Sequence, residues 1–255
     1  MSTERRRARR QATKLWRTRV LRTERVTPRM ARITVGGPEL ADFAGAGTDE
    51  NVLLYLYETT EGLPDPLTLE SARTAMSRNR PYMRSYTIRR HDPSANEIDF
   101  DFVLHGDHGP ASAWASRAVP GDEVIFVGPS PAYTPDPSAP WHLLIGDETA
   151  LPAIDAIIRA LPGAVVKAFI EVEDAAEEQD LPGVTWVHRN GVPAGSAEPL
   201  IKALSAASFG EGQPAVWAAG ERSAMQAVRD HLVSCGIERA RVRPATYWRL
   251  GHAGS

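Results

Sequence analysis

The pattern of the chain changes once, near residue 130, and that change constrains the fold more than any other feature of its 255 residues. Upstream, short runs rich in β-branched and aromatic residues alternate with Gly and Pro. Residues 32–35, 51–57, 84–90, 98–104 and 123–127 read as strands. In the fourth run, Ile98, Phe100, Phe102 and Leu104 alternate with Asp99, Asp101, Val103 and His105, giving one apolar and one more polar face. Several such strands with few helices predict a small antiparallel barrel over 17–130. The segment 58–80 is polar and weakly patterned, and reads as a surface loop with room for a short helix.

Downstream, a Pro-rich stretch at 131–140 reads as a linker. Beyond it, strands predicted at 141–145, 164–172, 185–188, 215–219 and 240–246 alternate with helices at 151–161, 197–208 and 223–234. Gly236 stands where a left-handed cap would end the last helix. Apolar strands alternating with helices require a parallel sheet covered on both faces. The expected architecture is therefore a barrel followed by a Rossmann-like parallel α/β domain over 141–255, with the carboxyl ends of its strands facing a ligand.

Composition excludes several classes. A hydrophobic fraction of 42%, a charged fraction of 24% and a net charge of −3 describe a globular protein without the basic excess of a nucleic-acid binder. The single cysteine, Cys235, excludes an internal disulfide framework and a cysteine-rich metal or iron–sulfur site. No apolar run approaches the roughly 20 residues of a membrane span. Residues 1–16 begin with MSTERRRARR, which no apolar segment follows. They are expected to be a disordered basic tail, not an export signal, and the chain is expected in the cytoplasm without stable membrane insertion.

The informative run in the first half is Arg84-Ser85-Tyr86-Thr87-Ile88-Arg89. Period 2 places Arg84 and Tyr86 on one strand face. A guanidinium can grip a pyrophosphate with two hydrogen bonds, a phenol ring can stack on a flat heteroaromatic, and Thr87 offers a hydroxyl beside it. The next strand could present Asp101 and His105 to the same ligand. After His105-Gly-Asp-His-Gly109, Pro110 opens a helix whose first N–H groups, at Ala111 and Ser112, suit a phosphate. Each element alone also fits ordinary packing, a surface charge or a plain helix start.

Taken in order, RPYMRSYTIRR, DFDFVLHGDHGPASAWA and PGDEVIFVGPS, with VTPRMARITVGGPEL before them and YWRLG at the end, resemble the siderophore-interacting protein family of FAD-dependent reductases in the ferredoxin-reductase superfamily. The likeness spans residues 17–251. It implies a six-stranded flavin-binding barrel and an NAD(P)H-binding α/β domain in one monomeric chain. It implies FAD contacts from Arg84, Ser85, Tyr86 and Thr87, with Tyr86 and Thr87 positioning the isoalloxazine. Asp101, Val103 and His105 would line the flavin site, and Pro110, Ala111 and Ser112 would hold the diphosphate. The run Leu54-Tyr-Leu-Tyr57-Glu58 departs from the more aliphatic strand that relatives tend to carry.

In the second half no G-x-G-x-x-G follows the first strand; Gly146-Asp147-Glu148-Thr149-Ala150 stands there, similar to the family's nicotinamide-site loop. Asp147 and Glu148 have the wrong sign for a phosphate, so ribose, amide or cap contacts are expected of them. Thr149 and Ala150, with Ala219, Gly220 and Glu221 at a later strand end, complete the expected nucleotide site. Glu171 and Glu173 end the second strand, where a carboxylate favours an unphosphorylated ribose, whereas the resemblance leans towards NADPH. The resemblance also implies a ferric siderophore as substrate, with Arg249 the foremost candidate to attract an anionic chelate. No side chain is expected to act as acid, base or nucleophile, because the cofactor carries the redox chemistry. A general NAD(P)H:flavin or ferredoxin-type reductase, and a flavin- or siderophore-binding protein without activity, are the two rival readings.

Overall fold

The computed structural model describes residues 13–45, 47–106, 109–130 and 133–252. Six antiparallel strands close a barrel: β1 (Lys14–Thr27), β2 (Met30–Gly36), β3 (Asn51–Leu56), β4 (Tyr82–Asp92), β5 (Glu97–Val103) and β6 (Glu123–Gly128), in the order β1-β2-β5-β4-β3-β6. β1 performs the closure, because its first half pairs with β6 and its second half with β2. The sequence reading missed this strand and assigned residues 1–16 to a tail. Residues 1–12 lie outside the described residues, but Leu15 and Trp16 are buried strand residues. The charges that interrupt β1, from Arg17 to Arg25, disguise its period-2 pattern.

The alternation in β5 places Ile98, Phe100 and Phe102 inside the barrel with Trp16, Ile33, Leu54 and Phe126. The opposite face of β3 and β6, carrying Tyr55 and Ile125, would be greasy and wet without a cover. That cover is the polar-looking segment 58–80. Its helix α1 (Leu69–Ala75) starts at a Thr68–Ser71 capping box and lays Ala72, Leu67, Leu69 and Met76 on those strands.

The second half is a five-stranded parallel sheet of β7 (His142–Asp147), β8 (Val166–Val172), β9 (Val184–His188), β10 (Ala215–Glu221) and β11 (Ala245–Trp248), ordered β11-β10-β7-β8-β9. Helix α3 (Leu151–Arg159) covers one face, while α4 (Glu198–Ala206) and α5 (Arg222–Ser234) cover the other. As predicted, α5 ends in a left-handed Gly236 at φ 91°, with Ile237 N–H donating back to Leu232 O at 3.1 Å. The last strand begins later than the sequence suggested, because residues 239–241 form a 3-10 turn. The predicted linker is tied down where it is described: Thr48 bridges to Tyr133, and Tyr133 packs against the α3 side of the sheet. The strand order reverses between β7 and β10, which opens a crevice at their carboxyl ends.

Trp16 is wholly buried and holds Gly128 O through its indole N–H at 2.9 Å. Trp16→Ala is expected to lower unfolding stability by about 3–5 kcal/mol, read as a lower guanidinium midpoint for the transition that reports the barrel.

Candidate functional site

The barrel is unzipped along one flank. β4 pairs with β5 only from Ile88 onward, and the last residues of β5 that have a partner there are Phe100 and those before it. Residues 82–87 are therefore hydrogen-bonded to β3 on one side alone, and residues 101–103 to β2 alone. The cleft between them collects Arg84, Ser85, Tyr86 and Thr87 from one lip and Asp101 and Val103 from the other. Tyr86 forms its floor: its ring lies 4.3 Å from Phe102, which in turn meets Trp114 at 5.4 Å. Burial raises the Tyr86 phenol above its ordinary range, so it remains a neutral donor.

Helix α2 (Pro110–Ala115) starts at the mouth of this cleft. Ser112 does not offer its hydroxyl to a ligand. Buried, it donates to Gly106 O at 2.8 Å and accepts from His105 N–H at 3.0 Å, pinning the 105–106 turn to the helix. That turn brings the exposed His105 ring over Gly109, where a Cβ would stand 3.0 Å from His105 Cε1. The start of α2 also borders a cavity of about 420 Å3 that Tyr57, Glu58, Tyr82, Trp114 and Arg117 help to line. An open strand lip with an arginine, an aromatic floor and a helix start beside an aromatic-lined cavity fits a long, flat, phosphorylated cofactor such as FAD. Arg84 Nη1 donates to Met83 O at 2.7 Å, holding the guanidinium at the lip.

Asp101 has a different task from the one expected. Odd positions of β5 point away from Phe102, and the Asp101 carboxylate is gripped by Arg32 at 2.7 and 2.8 Å, with Arg89 Nε at 3.5 Å. Arg89 also contacts Asp155 of α3. The side chain thus belongs to an ion cluster that joins barrel and sheet, and only its backbone borders the cleft. Burial lowers the Arg89 pKa, against the pull of Asp155 and Asp101. A second seam lies beside Thr87. Tyr247 donates to Asp49 Oδ1, Trp217 Nε1 donates to Asp49 Oδ2 at 3.2 Å, and Thr87 Oγ1 donates to Tyr247 Oη at 3.5 Å.

At the carboxyl edge of the parallel sheet, the acidic members of the predicted nucleotide set are engaged within the protein. Asp147 caps the turn through Thr149 N–H at 3.0 Å and accepts from Trp248 Nε1 at 2.7 Å and Glu221 N–H at 3.2 Å. Burial, then the neighbouring Glu148, raises its pKa. Glu221 caps α5 through Ser223 and Ala224 N–H and holds Leu250 N–H at 3.2 Å. Glu148 and Glu171 are buried and share Arg189, at 2.9 Å and 3.2 Å through Nη1. Glu171 therefore does not await a ribose, and Glu173 is engaged by Arg29 at 2.9 Å and Arg189 at 3.4 Å. Gly146 is required for this packing, since a Cβ there would lie 2.3 Å from Ala150 Cβ and 2.8 Å from Ala219 O. Thr149, Ala150, Ala219 and Gly220 do come together at the β7/β10 crevice. Arg249 is exposed just beyond β11.

The sequence reading missed Arg189 and Asp49. Neither lies in a motif: each is one charged residue in a turn, and only the fold reveals what it neutralises. Burial opposes charge on Arg189, yet Glu148 and Glu171 raise its pKa. Glu171 is pushed up to about 7 by burial, partly offset by Arg189. Arg189→Met should cost about 3–5 kcal/mol near neutral pH by leaving buried carboxylates without a counter-charge, and less in acid, as denaturation midpoints across pH would show. Because folded Glu171 holds its proton to a higher pH than the unfolded chain, its contribution is present below about pH 4.5 and is lost as pH rises through about 7. Glu171→Gln should flatten that fall in melting temperature.

Comparison with known proteins agrees with this geometry. The profile of the siderophore-interacting FAD-binding domain matches residues 19–133, and that of the siderophore-interacting protein matches residues 139–251. The crystal structure of a siderophore utilization protein from T. fusca superposes with a TM-score of 0.79 at 35% identity, covering 95% of both chains. The ferric vibriobactin reductase ViuB of Vibrio cholerae is 28% identical over 91% of this chain and 88% of its own. The NADPH-dependent ferric-chelate reductase of Escherichia coli is 26% identical, covering 90% of this chain and 91% of its own. With an FAD-fitting cleft on the barrel, a crevice at the sheet edge and both profiles matched in order, the chain belongs to the siderophore-interacting protein family.

Proposed function

We propose that this protein is an FAD-dependent reductase that takes electrons from NAD(P)H and delivers them to the iron of a ferric siderophore, releasing Fe(II). The observation that carries the reading is the unzipped flank between residues 82–87 and 101–103, with α2 at its mouth and the sheet at its other side. ViuB and the Escherichia coli ferric-chelate reductase, both similar over nearly the whole chain, support the substrate and donor classes.

FAD, when bound, accepts two electrons together from a nicotinamide and gives them up singly. The protein's part is binding and position. Arg84 and the N-terminal amides of α2 at Ala111 and Ser112, after Pro110, would hold the diphosphate. Tyr86 would support one face of the isoalloxazine, with Ser85, Thr87, Val103 and His105 bordering it. The donor would enter at the β7/β10 crevice, where Thr149, Ala150, Ala219 and Gly220 leave the backbone approachable. The carboxylates there are already engaged, so donor affinity rests on backbone and shape. Arg249 would draw an anionic chelate towards the cleft. Barrel and sheet lie in one chain, which makes the site complete in a monomer. A cytoplasmic setting suits the free Cys235, and among the described residues no helix is long and apolar enough to cross a membrane.

The purified protein should be yellow or become so with FAD, bleach anaerobically with NADH or NADPH, and reoxidise with a ferric siderophore while a ferrous chelator traps Fe(II). A colourless protein that takes up no FAD overturns the reading. Bound FAD that neither nucleotide bleaches would instead show a flavin-binding protein without this activity. Arg84→Ala should weaken FAD binding about ten- to a hundredfold, the loss expected for charge-assisted hydrogen bonds. Arg249→Ala should lower kcat/KM for an anionic ferric chelate and flatten its salt dependence.

A further inference from the structure

Oxidation of one NAD(P)H by two Fe(III) yields NAD(P)+, two Fe(II) and one proton. The proposed reaction therefore liberates one proton per pair of electrons, and that proton must leave the cleft. We propose that Thr87, Tyr247 and Asp49 form a relay that carries this proton from the cofactor's reactive edge into a small cavity at the seam between barrel and sheet. The proposal rests on the reductase reading above and concerns residues to which that reading gives no such part.

The donors line up in one direction. Thr87 Oγ1 donates to Tyr247 Oη at 3.5 Å, and Tyr247 donates in turn to Asp49 Oδ1. A proton taken up on the Thr87 oxygen can thus be passed on in two hops, the first across 3.5 Å, each reversing one hydroxyl, and arrives at a carboxylate. Trp217 Nε1 fixes the other oxygen of that carboxylate at 3.2 Å, so Asp49 keeps its aim. On its far side Asp49 borders a cavity of about 190 Å3 that Glu50, Arg89, Arg90, His91 and Ala156 also line. A space of that size admits water. His91 Nε2 is buried with no hydrogen-bond partner among the described residues, and burial lowers the ring's pKa, which keeps the imidazole neutral beside that water space.

Asp49 stands at φ 52°, the left-handed region that glycine adopts freely and that Asp and Asn enter more readily than other side chains. Burial also raises the Asp49 pKa, against the Tyr247 and Trp217 donors that favour its ionised form. The charged and titratable groups facing it are Tyr247 from β11, Arg89, Arg90 and His91 from β4, and Glu50 from its own turn, with Asp147 acting on Tyr247 from the sheet side. Tyr247, raised by burial and by Asp49, stays protonated and can only relay.

The test uses the FAD-loaded protein, with Asp49→Gly as the principal variant because glycine suits the backbone there, and Tyr247→Phe as the second. In stopped flow with a ferric chelate and a pH indicator in weak buffer, both variants should slow proton release and reoxidation more than tenfold relative to the nucleotide-driven bleaching step. Formate should restore the rate of Asp49→Gly and leave Tyr247→Phe slow, an effect that a loss of packing would not show. Infrared titration of the protein without FAD supplies an independent readout: a carboxylic acid band that persists above the ordinary aspartate range and is missing in Asp49→Gly. The relay is overturned if the variants keep the wild-type ratio of the two half-reactions, if formate does nothing, or if no such band exists. A wild-type protein that binds no FAD would sink the reductase reading instead, and the infrared result would still decide whether Asp49 holds a proton.

Discussion

Barrel and sheet are held together by buried charge, and the positions of the barrel's open flank and of the sheet-edge crevice follow from it. Arg89 lies between Asp101 of the barrel and Asp155 of the sheet domain. Asp155 also engages Arg159 on its own helix, and Asp101 is gripped by Arg32. Partly desolvated ions of this kind are tolerated only when every partner is in place. The requirement fixes α3 against β4, and β4 is the strand whose other end forms one lip of the unzipped cleft. A seam made of greasy side chains could slide; one made of paired ions and the Asp49–Tyr247–Trp217 contacts has a defined register.

The same rule explains the carboxyl edge of the sheet. Asp147, Glu148, Glu171, Glu173 and Glu221 crowd a small region, which without compensation would repel one another and any phosphate. Arg189 gathers three of them, Trp248 and backbone amides satisfy Asp147, and helix α5 uses Glu221 as its cap. What remains open at the β7/β10 crevice is small side chains and backbone. Residues that read, one by one, as acidic ligands are thus engaged within the fold. The C-terminal YWRLG run serves this architecture twice, since Tyr247 reaches the barrel and Trp248 the sheet turn.

Much of this was legible beforehand. The change of pattern near residue 130 predicted both architectures, and the motifs from Arg84 to Thr87 and from His105 to Ser112 do meet at one cleft. Local patterns reach that far because strand and helix periods are local properties of the chain. The readings that failed concern side chains whose partners are remote in sequence. The Asp101 side chain, expected to line the flavin site, is spent on Arg32 and Arg89, and Glu171 pairs with Arg189 instead of facing a ribose. The start of strand β1 reads as tail because its charged residues, facing outward in the barrel, resemble those of a solvated segment.

By itself, then, the sequence determined the order of the two architectures, the strand that carries the flavin-type motif and the helix start beside it, since each depends on neighbours within a few residues. Only the tertiary structure decided that β4 and β5 part company to leave a cleft, that the acidic edge finds its partners from within, and that Asp49 meets Tyr247 across the seam. Those outcomes depend on electrostatics and desolvation between residues as far apart as 198 positions along the chain, and burial, which sets the strength of every such contact, exists only once the chain has folded.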